Sequence, residues 1–351
     1  MNLSFSQGLQ DLRLQRIFRA LQITTGTFVE CGFPALQTSN TELLKRSGWT
    51  GVRFDGACLG NASANREAQC TRAWISSRNI VELVTKSSGT RPTYVSIDLD
   101  TVDIWVLRAL LGGGVRPTVL TVEYNSNYPL EVALAFPDTD HHEEASAATS
   151  GRVDDVSTRR WDGDCYMGSS AGALVAVAKE FGYVVVDVEP GLDLFLVDGE
   201  QWGARPVPTL RTSNVYRPFN IRRNRTGLAG TRKARAMVDY HVWRSSNGRV
   251  REARKAAATA LAALAARADL PCFSDHRCAD SSLVLCSGLW SVLCPPSAMS
   301  QQIKPSSWFA NPCHGTPGLW HAGYGLTLQA SRSGPAARRF LARDLNVRAA
   351  F

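Results

Sequence analysis

An apolar run over residues 94–99 ends in acids, within the segment YVSIDLDTVD. Asp98 and Asp100 are two residues apart, so their side chains share one face of an extended chain. Asp103 stands at the predicted start of a helix, where the helix dipole favours a carboxylate. Carboxylates this close raise one another's pKa, giving a general base, or they hold a hard cation such as Mg²⁺. A helix cap followed by solvated turn acids is the ordinary alternative.

The next predicted strand, 118–124, brings two more polar groups. It carries Glu123 near its end, and Asn125 follows directly. Because parallel strands of an open sheet present their carboxyl ends at one edge, we expect these groups beside the first acids.

A second polar pattern closes the first two predicted strands, 27–31 and 51–55. The first ends Glu30-Cys31-Gly32, and the second ends in Asp55. In nucleotide-binding α/β folds a glycine lets the backbone approach the ligand, and an acid after the second strand accepts hydrogen bonds from ribose hydroxyls. No G-x-G-x-x-G is present, so an ordinary turn glycine and a solvated acid remain the alternative.

The elements that must position these residues alternate between strand and helix, which predicts βαβ units and a mostly parallel sheet. The last two strands flank a tight turn with Pro190-Gly191, so they must be antiparallel. Helices are predicted at 6–22, 79–86, 103–111 and 170–181, and strands at 27–31, 51–55, 74–75, 94–99, 118–124, 184–188 and 194–197.

The chain divides into a folded region and an irregular end. We predict a domain over 5–200, with an aperiodic insertion at about 137–160. A basic linker over 201–249, an Ala-rich helix over 250–268 and a disordered tail over 269–351 follow.

Composition excludes several classes of protein. The 351 residues are 44% hydrophobic and 20% charged, which is typical of globular chains. No apolar run is long enough to cross a bilayer, and the N-terminus lacks a secretory signal pattern. The net charge of +8 hides an asymmetry, because residues 1–200 hold 17 Lys and Arg against 25 Asp and Glu, whereas 201–351 hold 22 against 6. The basic half has no nucleic-acid reader motif, so we expect no nucleic-acid partner.

The nine cysteines fit neither a zinc pattern nor a disulfide framework. We therefore predict free thiols and no metal site, in an intracellular, cytoplasmic protein.

The chain resembles the FkbM-type S-adenosylmethionine-dependent methyltransferases, in particular a eukaryotic branch of unassigned substrate. The resemblance runs in family order over about residues 5–200. It implies a Rossmann-like methyltransferase sheet with an antiparallel last strand, and an O-directed reaction on a small-molecule or glycan acceptor. The matching stretches are SQGLQDLRLQRIF, FVECG, SNTELLKRSGWTGVRFDG, ISSRNIVELV, YVSIDLDTVDIWVLRALL, RPTVLTVEYNSN, WDGDCYMGSSAGALVAVAKEFGY and DLFLVD.

The resemblance also implies roles for individual residues. Asp98 and Asp100 correspond to the catalytic acids below the sulfonium, and Asp103, Glu123 and Asn125 correspond to groups that contact the substrate or support those acids. The residues that correspond to cofactor-binding positions are Glu30, Gly32, Asn40, Asp55, Asn79 and Ile80.

This sequence departs from the family at the cofactor turn. Ala35-Leu36 stands where the family has Asp-Gly, Pro34 precedes it, and Thr101-Val102 replaces Gly-Asn after the acids. A leucine side chain could intrude where glycine lets the backbone approach. A non-catalytic methyltransferase-like binding module is therefore the alternative function.

Overall fold

The strands that position the candidate site residues are short. In the computed structural model, which describes residues 4–32, 38–56, 58, 69–138, 168–217 and 236–267, they are β1 (Thr27–Cys31), β2 (Thr50–Asp55), β3 (Cys70–Arg72), β4 (Tyr94–Ile97), β5 (Val119–Glu123), β6 (Leu134–Ala135), β7 (Tyr183–Val188), β8 (Asp193–Asp198) and β9 (Val238–Asp239).

Helices join or cover these strands. They are α1 (Gln10–Leu21), α2 (Glu42–Arg46), α3 (Ile80–Ser88), α4 (Asp103–Gly112), α5 (Ala171–Glu180), α6 (Gly199–Trp202), α7 (Thr212–Val215), α8 (Tyr240–Ser245) and α9 (Val250–Ala265). No helix among the described residues is long and apolar enough to cross a membrane.

Seven strands form one sheet in the order β3-β2-β1-β4-β5-β8-β7. The first five are mutually parallel, and β8 runs antiparallel to both β5 and β7. The prediction of an α/β fold with a mostly parallel sheet and an antiparallel closing strand is confirmed.

The sheet separates two apolar cores because successive strand residues point to opposite faces. On one face α1 packs through Leu14, Ile17 and Phe18, against strand residues that include Phe28 and Tyr94. On the other face α3, α4 and α5 cover the alternate strand residues, such as Val29, Val95, Leu120 and Leu196.

The third strand lies earlier than the sequence predicts. We expected it at 74–75, whereas β3 is Cys70–Arg72. Its residues are not an apolar run: Thr71 and Arg72 are exposed, and only Cys70 is buried. Backbone pairing with β2 defines this strand, and hydrophobic patterning does not report such pairing.

Part of the expected linker over 201–249 packs against the domain. The short strand β9 pairs with β6, and Met237, Val238 and Tyr240 are buried. A two-residue strand is too short to give a periodic pattern. The Ala-rich segment forms α9, which buries one face through Ala253, Ala257, Leu261 and Leu264.

One pair of cysteines corrects the prediction of free thiols. Cys58 and Cys70 form a disulfide, with Cα atoms 6.0 Å apart. The pairing of Arg53 with Cys70 between β2 and β3 brings the second cysteine beside the loop that follows β2. The register between β2 and β3 brings the two cysteines together, and the spacing of cysteines in the sequence does not reveal that register. Cys31, by contrast, is free and buried.

Several predictions fall outside the described residues: the turn with Ala35-Leu36, most of the insertion at 137–160, and the tail over 269–351.

Candidate functional site

At the turn after β1 the backbone leaves no room for a side chain. Gly32 has φ +86°, and a Cβ there would lie 1.6 Å from the carbonyl oxygen of Asp98. Its amide donates to the carbonyl of Phe54 at 2.9 Å, and the amide of Asp98 donates to Cys31 at 3.0 Å. Only glycine fits this turn, which ties the ends of β1, β2 and β4 together.

Three carboxylates gather beside this turn. Oxygens of Asp98, Asp100 and Glu123 all lie within 4.8 Å of one another. They meet because β4 and β5 are parallel neighbours whose carboxyl ends lie side by side. Asp100 adopts φ +63°, in the left-handed region that aspartate tolerates better than most residues.

Burial raises the pKa of all three acids. Burial, together with the charge of Asp193 and its other acidic neighbours, raises the pKa of Asp98 well above its usual range. Burial and the charge of Asp98 do the same for Glu123. A hydrogen bond joins these two side chains. Carboxylates so placed complement a cation, whether a metal ion or an organic cation.

Asp103 stabilises the turn after β4, from which Asp98 and Asp100 project. As the first residue of α4 it is almost fully buried, and its Oδ1 accepts the amide of Leu99 at 2.7 Å. Burial raises the pKa of Asp103 to about 7. Its carboxylate is thus part of the support for the acids, as a helix-start acid should be.

Glu30 is engaged in a buried network instead of facing open space. It accepts from the hydroxyls of Ser39 and Thr41 at 2.7 and 2.5 Å, and from the amide of Asn40 at 2.8 Å. Arg53, 1% exposed, places its Nε 3.3 Å from the same carboxylate. Burial raises the pKa of Glu30, and the charge of Arg53 acts against that rise.

Asn40 connects this network to the far side of the acids. Its Nδ2 donates to Ser96 Oγ at 3.1 Å and to Asp193 at 3.4 Å. Asp193 begins β8 opposite Glu123, and burial raises its pKa to about 7. Sequence reasoning missed Arg53, Ser96 and Asp193. The acid that opens the run DLFLVD is the one signal in the sequence that could have indicated Asp193.

Asp55 ends β2 on the same edge of the sheet, two strands from the acids. It is half-buried, and its carbonyl accepts the amide of Ala73 at 3.1 Å. Trp74, 66% exposed, covers Gly56, whose Cβ position would be 3.4 Å from the indole. An exposed aromatic ring therefore lies over the residue that follows the acid.

The remaining predicted residues hold local turns or the core. Asn79 donates to the carbonyl of Trp74 at 2.7 Å and accepts the amide of Ser76 at 2.9 Å. Ile80 is fully buried in the core, and its amide donates to the carbonyl of Ser76 at 3.1 Å. Asn125 lies just past β5 and accepts the amide of Asn127 at 3.0 Å.

Comparisons with known proteins identify no family. No family model matches the chain, and no curated protein matches it. Among solved structures, the chain is similar to one titled "putative hemolysin from Lactococcus lactis", with 11% identity and a TM-score of 0.31. That match covers 56% of this chain and 91% of the other. A similarity of this size carries no argument about fold or activity.

Proposed function

We propose that the protein is an S-adenosylmethionine-dependent methyltransferase. The observation that carries the proposal is the placement of the Gly32 turn between Asp55 on one side and the Asp98–Glu123 pair on the other, all at one carboxyl edge. Ligands of open α/β sheets bind at this edge. The sheet order, with β8 antiparallel between β5 and β7, agrees with the sheet that the FkbM resemblance implies.

The donor chemistry of the site fits this cofactor. S-adenosylmethionine would supply an activated methyl group on a positively charged sulfur. Asp98, Asp100 and Glu123 offer negative charge for a cationic ligand, and the Gly32 turn offers close backbone approach. Asp55 would offer a carboxylate to ribose hydroxyls, and the exposed Trp74 ring lies over the neighbouring Gly56.

The catalytic work of the chain would be alignment and proton transfer. Aligning an acceptor with the reacting carbon lowers the barrier because the orientational entropy is lost on binding. Asp98 or Asp100 would take the proton from the attacking oxygen.

The acceptor follows from the resemblance alone. We infer an oxygen nucleophile on a small molecule or glycan, in line with the family that the chain resembles.

Calorimetry with S-adenosylmethionine tests the proposal directly. We expect measurable binding by the full chain. It should strengthen as pH rises, because Asp98 and Glu123, whose pKa values burial raises, become charged. Asp98→Asn should weaken binding, whereas Glu252→Gln, an exposed acid on α9 paired with Arg249, should leave it unchanged. No binding at millimolar ligand would overturn the proposal.

The Ala35-Leu36 departure favours a second function, a non-catalytic binding module. Binding absent in the wild type and restored in Leu36→Gly would support it, because the leucine would then be what blocks the methionine end.

A further inference from the structure

The edge strand β3 has little to hold it in the sheet. It has three residues and, within the described ranges, pairs with β2 alone, Arg53 opposite Cys70 and Asp55 opposite Arg72. Only Cys70 is buried. An element with few apolar contacts and one-sided pairing opens locally at low free-energy cost.

A covalent bond compensates for this weak packing. The Cys58–Cys70 disulfide spans a sequence separation of 12 and joins the loop after Asp55 to the first residue of β3. Both cysteines are buried, at 4% and 7% exposure. A cross-link over such a loop limits how far its two ends can separate when the hydrogen bonds open.

The same segment places the groups of the Asp55 side of the site. The carbonyl of Asp55 accepts two backbone hydrogen bonds. One comes from the amide of Ala73, just past β3, at 3.1 Å, and the other comes from the amide of Cys58, the first cysteine of the disulfide, at 3.5 Å. Trp74 follows and lies over Gly56. Asp55 and the Trp74 ring therefore keep their relative positions only while β3 stays paired.

We propose that the Cys58–Cys70 disulfide is a redox-sensitive latch that controls how tightly the Asp55–Trp74 side binds the nucleoside of the cofactor. The proposal rests on the proposed function and adds regulation to the same site. When the bond is closed, β3 is held and the site is preorganised. When the disulfide is reduced, β3 separates from β2 more often. Part of the binding free energy is then spent on reordering β3.

A dithiol reductant would supply the chemistry. One of its thiolates attacks one sulfur of the disulfide, which releases the other as a thiolate and forms a mixed disulfide. The second thiolate of the reductant then displaces the first cysteine. Two electrons and two protons pass to Cys58 and Cys70, and the reductant leaves as its own disulfide. Because both cysteines are buried, the attack requires β3 to open first.

The test compares the oxidised full chain, the same chain after dithiothreitol, and Cys58→Ser/Cys70→Ser. Mass spectrometry of peptides with both cysteines establishes the redox state. We expect amide exchange over 70–75 to accelerate about tenfold or more on reduction, while exchange over 94–97 stays the same. S-adenosylmethionine affinity should fall about tenfold. The double variant should behave as the reduced chain and should not respond to dithiothreitol, which excludes effects of other cysteines.

The outcomes separate the two proposals. If the oxidised chain binds the ligand but reduction changes neither affinity nor exchange over 70–75, the latch is wrong and the methyltransferase proposal stands. If exchange accelerates but affinity does not change, the disulfide holds the strand without controlling the site, and the latch is again wrong. If the oxidised chain does not bind at all, the proposed function fails and the latch fails with it.

Discussion

The two sides of the candidate site are built in different ways. Around Gly32, Glu30 and Asp98 the backbone is fixed by buried hydrogen bonds, an ion pair and central parallel strands. Around Asp55 the backbone depends on a three-residue edge strand and one disulfide. The backbone of the central side takes its position when the domain folds. On the edge side, β3 can separate from β2 without unfolding of the domain. Mutations that disturb the backbone or the ion pair of the central side should therefore lower stability, whereas mutations on the edge side should change ligand binding with little effect on stability.

The largest effect is expected at Gly32. Gly32→Ala would place a Cβ 1.6 Å from a backbone carbonyl at φ +86°, so the ends of β1 and β4 would have to separate. We expect a loss of about 4 kcal/mol or more in the free energy of unfolding, because neither backbone segment can give way cheaply. Urea denaturation measures it.

Gly48→Ala is the matched control. Gly48 has φ +85° but no atom within 4 Å of its Cβ position, so it carries the backbone penalty without the clash. Its cost should be only about 1 kcal/mol. Equal losses at Gly48 and Gly32 would show that the Gly32 turn is not fixed by its contact with Asp98.

The next effect is expected at the buried ion pair. Arg53→Met removes the cation that lies 3.3 Å from Glu30 and 3.0 Å from Glu42, and it leaves Glu30 buried without a positive partner. We expect a loss of about 3 kcal/mol in stability. Arg46→Met, at an arginine that is 61% exposed and pairs with the same Glu42, should cost less than about 0.5 kcal/mol. Similar costs for the two arginines would contradict a fixed central side.

The acids of the central side also predict a pH dependence. Burial raises the pKa of Asp193 to about 7. Between about pH 4 and 7 the unfolded chain has released this proton while the folded chain still holds it, so stability should fall as pH rises across that window. Asp193→Asn removes this contribution and should be more stable than the wild type at pH 8 by about 1–2 kcal/mol.

Urea denaturation from pH 5 to pH 8 tests this expectation. The difference between variant and wild type should shift in favour of the variant as pH rises. A variant destabilised to the same extent at every pH would mean that the hydrogen bond from Asn40, and not the charge, makes Asp193 important.

The same contrast explains how much the sequence could predict. Apolar runs such as 94–99 and 184–188 fill whole strands, so hydrophobic patterning located the central sheet and its antiparallel closing pair. It also located Asp98, Asp100 and Glu123, because acids at strand ends are visible in the chain. The position of β3 and the Cys58–Cys70 bond depend on register between β2 and β3, which no local pattern encodes.

Buried polar groups are the other feature that the sequence could not predict. Arg53 and Asp193 lie far apart in sequence, and folding brings each to a partner that local spacing does not reveal. Glu30 was expected to face the cofactor, yet it holds residues 39–41 through three hydrogen bonds. An acid at a strand end looks the same in a sequence whether it meets a ligand or a buried arginine.

The smallest effects should be seen in ligand binding. Two fragments of the cofactor, adenosine and methionine, test the two sides of the site separately. Adenosine lacks the cationic end of the cofactor, and methionine lacks the nucleoside. Asp55→Asn should weaken adenosine binding about tenfold, or about 1.4 kcal/mol, and leave methionine unchanged, because the lost carboxylate serves ribose hydroxyls alone. Asp98→Asn should do the reverse, because it removes negative charge beside the Gly32 turn while its amide can still hydrogen-bond Glu123. Calorimetry with both fragments, and with Glu252→Gln as the unaffected control, measures the pattern. If each variant weakened both fragments equally, the site would respond as one unit, and the division between a fixed central side and an adjustable edge side would be wrong.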